Sequence, residues 1–335
     1  MLVLTGTSGG LGKPTLETIL SENLIAPKDL IISAYNTDSV PRVAKDAGIE
    51  IRHGNLTDSS TLLKSYAGAD ALLLVSYPSV SEERFALHRT AIDAAKKVGV
   101  KHVIYTSLTW GGPVGDEPSV AGVLQAHIKT VEYLKQSGLT WTIVREGTYA
   151  HLWSNMAGFL KLDGPIDEVQ EAVIPGDGPN AWVNREELGI ATGRIVGNWV
   201  CYLSYRGADW IFADVYHQQK SYINKTVTLT GPRTYTMRQI IDLYVAHTGK
   251  RVNLRILPVE EVIKYHIEHR SLPPGQESFL SNWVTMHKAW ELGEADYVDP
   301  SLGDILGRPP KTLEDQADEI FSEGNKLDTK DFAKV

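Results

Sequence analysis

Leu2-Val3-Leu4-Thr5-Gly6-Thr7-Ser8-Gly9-Gly10-Leu11-Gly12 opens the chain, and its reading decides the fold. Leu2–Thr5 is a short apolar run, and a glycine turn follows at once. A helical pattern with Leu16, Ile19 and Leu20 on one face then begins. Strand, glycine turn and helix in that order form the seat of a dinucleotide. Gly6 lets the chain turn off the strand. Gly9 leaves the backbone bare where a pyrophosphate approaches, and Gly12 lets the helix lie close to the strand. The first-turn N–H groups and the helix dipole attract phosphate; Thr7 and Ser8 add hydroxyls, and Gly10 and Leu11 complete the turn. The alternative, a glycine turn that holds no ligand, does not need strand and helix at these positions.

Outward from this unit, strand and helix patterns alternate. Residues 29–34, 49–53, 69–75, 101–107 and 139–144 read as strands, and 39–47, 59–66, 82–98 and 123–137 as helices. The run Ala69-Asp-Ala-Leu-Leu-Leu-Val75 is almost wholly apolar, as in a parallel sheet covered on both faces. The fold class is therefore α/β: a Rossmann-type doubly wound parallel sheet with a smaller carboxyl-terminal α/β substrate lobe. Residues 1–150 form the expected NAD(P)-binding domain, and 151–323 the substrate lobe, partly interleaved with the first sheet. In the second half, 171–174, 225–229 and 252–257 read as strands. Helices are expected at 185–196 behind Asn184, then at 236–248, 259–269, 276–292 and, behind Thr312, 313–321. Residues 198–224 are rich in aromatic side chains, which build either a satellite core or the wall of an aromatic pocket. Residues 324–335 are polar and read as a loose tail.

In such a sheet the ligand lies at the carboxyl ends of the strands. Tyr35 and Asn36 end the second strand. No acid stands there to bind the adenosine ribose, which favours NADP(H) over NAD(H); Lys13 or Arg42 is available for the extra phosphate. Asp38 reads as the cap of helix 39–47. Asn55 and Leu56 either border the adenine or belong to an ordinary loop capped by Asp58. Ser76-Tyr77-Pro78, Thr106-Ser107 and Gly147-Thr148-Tyr149 end the next three strands, and Trp110 and Trp153 follow two of them. His88 reads as a packing or capping histidine. His266 and His269 share a helix face without a carboxylate cluster and read as surface residues, so no metal is expected.

The composition narrows the class. With 335 residues and 42% hydrophobic content, the chain can bury a large core. A net charge of −8 argues against nucleic acid as a main partner. The single cysteine, Cys201, forms no internal disulfide and points to a reducing compartment. The first strand starts at Leu2 and no apolar run reaches ~20 residues, so a cytoplasmic protein without a membrane span is expected.

Gly6-x-x-Gly9-x-x-Gly12, Tyr105-Thr106-Ser107, His127 with Glu132-Tyr-Leu134, Ser137-Gly138-Leu139, Arg145-x-Gly147-x-Tyr149 and Gly307-Arg-Pro-Pro-Lys-Thr-Leu313 together resemble the NmrA-like branch of the atypical short-chain dehydrogenases. The nearest type is similar to the NAD(P)H:quinone oxidoreductases. The likeness spans roughly 1–197 and 225–322, with 198–224 as an insertion. It implies a cofactor site on the glycine turn and a cleft toward the second lobe. The Tyr-x-x-x-Lys pair of ordinary short-chain dehydrogenases is missing from the helix after the fifth strand. The one occurrence, Tyr216 and Lys220, lies in the insertion and reads as chance. His127 stands where related reductases carry a lysine or histidine; it either serves the reaction, beside Ser107 and Tyr149, or is a buried structural residue. Two functions follow. One is an NAD(P)H-dependent reductase of a quinone or related aromatic or polyketide carbonyl, with Tyr149, Trp153 and Trp110 against the acceptor; a homodimer is compatible with it. The other is a cofactor-binding redox sensor that acts through a protein partner.

Overall fold

The computed structural model describes residues 1–80, 83–111, 118–205, 222–272 and 277–323. Its strands are β1 (Leu2–Leu4), β2 (Leu30–Ala34), β3 (Glu50–His53), β4 (Ala71–Leu74), β5 (His102–Leu108), β6 (Thr140–Glu146), β7 (Val169–Ile174), β8 (Lys225–Leu229) and β9 (Arg251–Ile256). Seven form one sheet in the order β3-β2-β1-β4-β5-β6-β8, and every pairing in it is parallel. The strand order reverses between β1 and β4, which makes that gap the topological switch point. β7 and β9 pair in parallel as a separate two-stranded sheet.

The helices are α1 (Gly12–Ser21), α2 (Arg42–Asp46), α3 (Ser59–Ser65), α4 (Glu83–Lys97), α5 (Gly122–Gln136), α6 (Trp153–Met156), α7 (Arg185–Tyr205), α8 (Met237–Thr248), α9 (Val259–Glu268), α10 (Glu277–Glu291), α11 (Ser301–Leu306) and α12 (Ala317–Ile320). On one sheet face, Leu16, Ile19, Leu188 and Ile195 of α1 and α7 pack on Leu4 and Ile32. On the other, Leu62, Ile92 and Leu134 of α3, α4 and α5 pack on Val3 and Leu72. Each strand thus needs apolar residues on both faces, which is why β1, β2 and β4 lack polar alternation. A third cluster holds Trp153, Tyr244, Trp283, Trp290 and Phe321, with Ala172–Ile174 of β7.

Two local devices place the start of α7 above the glycine turn. Gly189, Gly193 and Gly197 recur every four residues, so they line one side of α7. A Cβ on them would stand 2.5 Å from Pro14 Cγ, 3.0 Å from the Thr15 carbonyl and 2.8 Å from Leu24 Cβ, so α7 lies directly on α1 and the turn after it. Asn184 caps α7 by accepting the Glu187 N–H at 3.1 Å, as expected. Buried Glu187 in turn pairs with Arg308 Nη1 at 2.5 Å and accepts the Lys311 N–H at 2.9 Å. The Gly307–Leu313 segment is therefore a clasp on the first turn of α7.

Several expectations are corrected. The helix expected at 39–47 is only Arg42–Asp46. Asp38 does not cap it; the Asn36 side chain accepts the Asp38 N–H at 3.0 Å in a preceding 3-10 turn. α7 continues to Tyr205, past its expected end, through the first residues of the insertion. Residues 206–221, with Trp210, Phe212, Tyr216 and Lys220, lie outside the described residues, as does the tail 324–335. The last helix shrinks to a 3-10 turn and α12, although the Thr312 hydroxyl accepts the Asp315 N–H at 3.1 Å, a capping contact. His266 is buried rather than on the surface, because its ring bridges the Val173 carbonyl and the Ser271 hydroxyl; His269 is exposed and stacks on Tyr265.

Candidate functional site

The crevice at the switch point is built from the glycine turn outward. The Thr5 hydroxyl donates to the Leu73 carbonyl and accepts the Val75 N–H, which ties the ends of β1 and β4. Gly6 has φ +66°, and a Cβ there would stand 2.8 Å from Val75 Cβ, so both backbone angle and space require glycine. A Cβ on Gly12 would collide with the Gly6 carbonyl; the first helical turn folds onto the turn that precedes it. Only the Gly6 carbonyl, at 3.3 Å, approaches the Cβ position of Gly9. Gly9 accepts from Lys13 and donates to Gly6, while the N–H groups of Gly10, Leu11 and Gly12 have no hydrogen bond among the described residues. The Arg185 guanidinium lies over Gly10, in the space a Cβ would fill. Bare glycine backbone, free N–H donors and a cation above them fit the pyrophosphate of a dinucleotide.

At the β2 end of the crevice, Tyr35 is 73% exposed and its carbonyl meets His53 Nδ1 at 3.0 Å. Asn55 turns its side-chain oxygen onto Thr57, and Asp58 caps α3 through the Ser60 N–H. Leu56 packs against the core under α3. Lys13 and Arg42 sit in exposed i,i+4 pairs with Glu17 and Asp46.

At the opposite end a buried chain of polar groups runs beneath the ends of β4 and β5. The Tyr77 N–H donates to His88 Nε2 at 2.9 Å, which leaves the His88 proton on Nδ1. That proton faces the Thr130 hydroxyl at 3.0 Å, whose own hydrogen goes to the Ala126 carbonyl at 2.7 Å. Tyr105 Oη lies 3.3 Å from the same nitrogen and 2.8 Å from His127 Nδ1. With His88 donating, the Tyr105 hydrogen points to His127 Nδ1, so this assignment puts the His127 proton on Nε2. Nε2 of His127 is buried and makes no hydrogen bond among the described residues. Burial, then the nearby Arg84 cation, then His88 hold His127 well below the usual histidine range. His127 is thus a neutral donor, not a charged acid.

Ser107 and His127 both line a cavity of about 140 Å³ that runs down α5 to Lys135 and Thr226. That volume is close to the space that holds one benzene ring. The glycine turn does not border it. A larger cavity, about 640 Å³, lies away from the strand ends among Asp163–Ile166, His247, Lys250 and Phe321. The Thr106 hydroxyl accepts the Ser76 N–H, and Pro78 is exposed at the lip of the crevice.

Tyr149 stands between the two ends. Its ring stacks on His151 at 5.8 Å, with the Arg185 guanidinium 6.0 Å away, and its hydroxyl donates to Glu146 Oε2 at 3.1 Å. The Thr192 hydroxyl donates to the other Glu146 oxygen. Glu146 is 2% exposed, and burial pushes its carboxyl up to about 8 despite these two donors. Arg145 spends its guanidinium on the carbonyls of Leu108, Thr109 and Trp110 and so fixes the loop after β5.

Three expected residues do not face the crevice. Trp153 is fully buried between Tyr244 and Phe321, with its N–H on the Ile320 carbonyl. Trp110 is buried against Trp290 and donates to Thr148 Oγ1, which donates on to Asn180. Gly147 is packed between Val183, Ala181 and Leu229. Both indoles find hydrogen-bond partners inside the third cluster, where their large apolar faces gain most from burial. Conversely, Arg84, His88, Tyr105, Glu146 and Arg185 enter the site without having been singled out as site residues. Glu146 had a legible signal, an acid ending an apolar strand; Arg84 and Arg185 look like ordinary first-turn helix cations.

A profile of the NAD(P)H-binding family matches residues 6–155. An NmrA-like family domain-containing oxidoreductase of Aspergillus flavus is 29% identical over 325 residues, covering 96% of this chain and 95% of that one. Over almost its whole length the chain is similar to that NmrA-like oxidoreductase. Quinone oxidoreductase 2 of Escherichia coli is 24% identical over 97% of this chain and 100% of its own length. The structure of the Escherichia coli NADPH-dependent quinone oxidoreductase with NADPH superposes with a TM-score of 0.77 at 23% identity, covering 96% of this chain and all of that one. The Citrobacter triphenylmethane reductase with NADP(H) gives 0.76 at 21% identity, with the same coverage. Among the described residues no cluster of His, Cys, Asp and Glu could hold a metal, and no helix is long and apolar enough to cross a membrane.

Proposed function

We propose that this NmrA-like protein reduces a quinone or a related aromatic or polyketide carbonyl, with its cofactor on the glycine turn and its acceptor over Ser107, His127 and Tyr149. When bound, the reduced nicotinamide supplies the hydride. The observation that carries the reading is the buried, unpartnered Nε2–H of His127, held in one tautomer by Tyr105 and bordering the same cavity as Ser107. An unpaired buried donor is costly unless something accepts from it. An acceptor oxygen that gains negative charge during hydride addition is such a partner, and a preorganised neutral donor stabilises that charge. A quinone needs no strong acid; its oxygens take protons from water once the ring is reduced. This explains how the chain does without Tyr-x-x-x-Lys. Residues 1–150 hold the cofactor and 151–323 shape the acceptor side, with Tyr149 as the ring nearest the acceptor.

NADP(H) rather than NAD(H) is the proposed cofactor. The tip of β2 offers an exposed tyrosine and an amide, and no carboxylate there repels a 2′-phosphate. The relatives described with NADPH or NADP(H) point the same way. The test mixes purified protein with NADPH or NADH and a panel of quinones and follows nicotinamide absorbance. Turnover that falls sharply in His127→Ala, at unchanged melting temperature, is the expected result. No turnover with any acceptor, together with tight binding of both redox forms, would overturn it in favour of a redox sensor.

A further inference from the structure

Arg84 is a mostly buried cation without a counter-ion among the described residues. It is 8% exposed, at the start of α4, and its Nε donates to Ser76 Oγ at 3.0 Å. Its remaining nitrogens make no hydrogen bond, and it forms no ion pair, among the described residues. The groups that feel its charge are the hydroxyls of Tyr105 and Tyr149 and the neutral rings of His88 and His127. The side chain is mostly buried, while the terminal nitrogens that Ser76 does not hold keep contact with solvent; a guanidinium so largely desolvated gains most where an anionic ligand completes it.

The location limits that ligand. Ser76 follows β4 at the switch point, and the tyrosines and His127 belong to the hydride-transfer end of the crevice. The pyrophosphate already has the free N–H groups of the glycine turn and Arg185. The 2′-phosphate end lies across β2 at Tyr35. The anionic partner left for Arg84 is on the acceptor.

We propose that Arg84 is the counter-ion for a negatively charged acceptor oxygen, so that the site selects planar acceptors carrying an ionised hydroxyl or carboxylate over neutral quinones of the same shape. The inference rests on the reductase reading of the same crevice. In the reaction, hydride from the dihydronicotinamide adds to the acceptor. The acceptor gains two electrons and one proton, the nicotinamide is oxidised, and negative charge collects on the acceptor oxygen. Arg84 holds that oxygen until water delivers the second proton and the hydroquinone leaves. A guanidinium can serve both the resting anion and the anion formed by hydride transfer, because it never gives up its own proton.

The test uses the full chain saturated with NADP⁺, so that no turnover intervenes. Binding of 2-hydroxy-1,4-naphthoquinone, ionised at neutral pH, is compared with 1,4-naphthoquinone by tryptophan fluorescence quenching. The parent protein should prefer the ionised compound by roughly tenfold to a hundredfold, the worth of one charge-assisted contact. Arg84→Gln should abolish that preference while leaving NADPH affinity unchanged, and Arg84→Lys should restore part of it. Arg84→Met should melt no lower than the parent, since it removes an unpaired charge. No preference in the parent protein, loss of NADPH affinity in Arg84→Gln with the preference intact, or a large fall in melting temperature in Arg84→Met would each overturn the assignment. Absence of turnover with both quinones, with the binding preference intact, would instead sink the reductase reading and leave the anion site standing.

Discussion

Replacing Glu146 by glutamine should change how the stability of this protein depends on pH. Glu146 ends β6 and is closed from water, with only the hydroxyls of Tyr149 and Thr192 on its oxygens among the described residues. Desolvation raises its carboxyl from 4.5 to about 8. A raised carboxyl means that the native state keeps a proton the unfolded chain has already lost. Its contribution is therefore whole below pH 4.5 and is lost as pH rises toward 8. The shift spans roughly 3.5 units, and at about 1.4 kcal/mol per unit the loss approaches roughly 4–5 kcal/mol by pH 8. That is a large part of the ~5–15 kcal/mol that holds a typical domain. Glutamine keeps the shape, accepts from one hydroxyl through its oxygen and donates to the other through its amide, and does not titrate. Urea unfolding of both proteins between pH 5 and pH 8.5 should show the variant gaining on the parent by about 1.4 kcal/mol per pH unit up to pH 8. A constant offset from hydrogen bonds of the amide leaves that slope untouched. Two parallel curves would refute the reasoning, because Glu146 would then ionise in the fold as it does in the unfolded chain.

Other outcomes follow from the same groups. Burial lowers His88 and His102 to about 3 and His287 to about 4, so each must be charged on unfolding at acid pH. The contribution of these rings should be whole above pH 6.5 and fall toward pH 3, with denaturant midpoints of the Glu146→Gln protein as the readout; a flat profile between pH 6.5 and pH 4 would contradict the buried neutral rings. Tyr105→Phe removes the hydroxyl that holds His127 Nδ1. Turnover should drop at least tenfold, roughly the worth of one oriented donor, while NADPH affinity measured by fluorescence stays constant. Gly9→Val points a side chain toward the expected pyrophosphate position and should abolish cofactor binding, with circular dichroism unchanged. Gly193→Leu should cost about 2 kcal/mol or more by forcing α7 off the Thr15 carbonyl and Thr18 of α1; a thermal melt equal to that of the parent would show that the helices are not held this closely.

The sequence by itself determined what depends on neighbours along the chain. The apolar runs of β1, β2 and β4 specify strands covered on both faces, and Gly6 at positive φ with Gly12 under the Gly6 carbonyl specifies the phosphate turn. Asn184, Asp58 and Thr312 show their capping roles within three residues of themselves. Only the tertiary structure decided which distant groups meet and which lose water. The spacing that marks His127 as a candidate does not reveal the Tyr105 hydroxyl, 22 positions away, that fixes its tautomer, or the burial that keeps it neutral. Trp110 and Trp153 read as pocket walls because aromatic rings suit both pockets and cores; the third cluster claims them once α8, α10 and α12 surround them. Arg185 is a routine first-turn residue until the glycine ridge of α7 sets it over Gly10. Arg84 and Glu146 carry ordinary charges in the sequence, and desolvation, a property of the packed interior alone, makes them unusual.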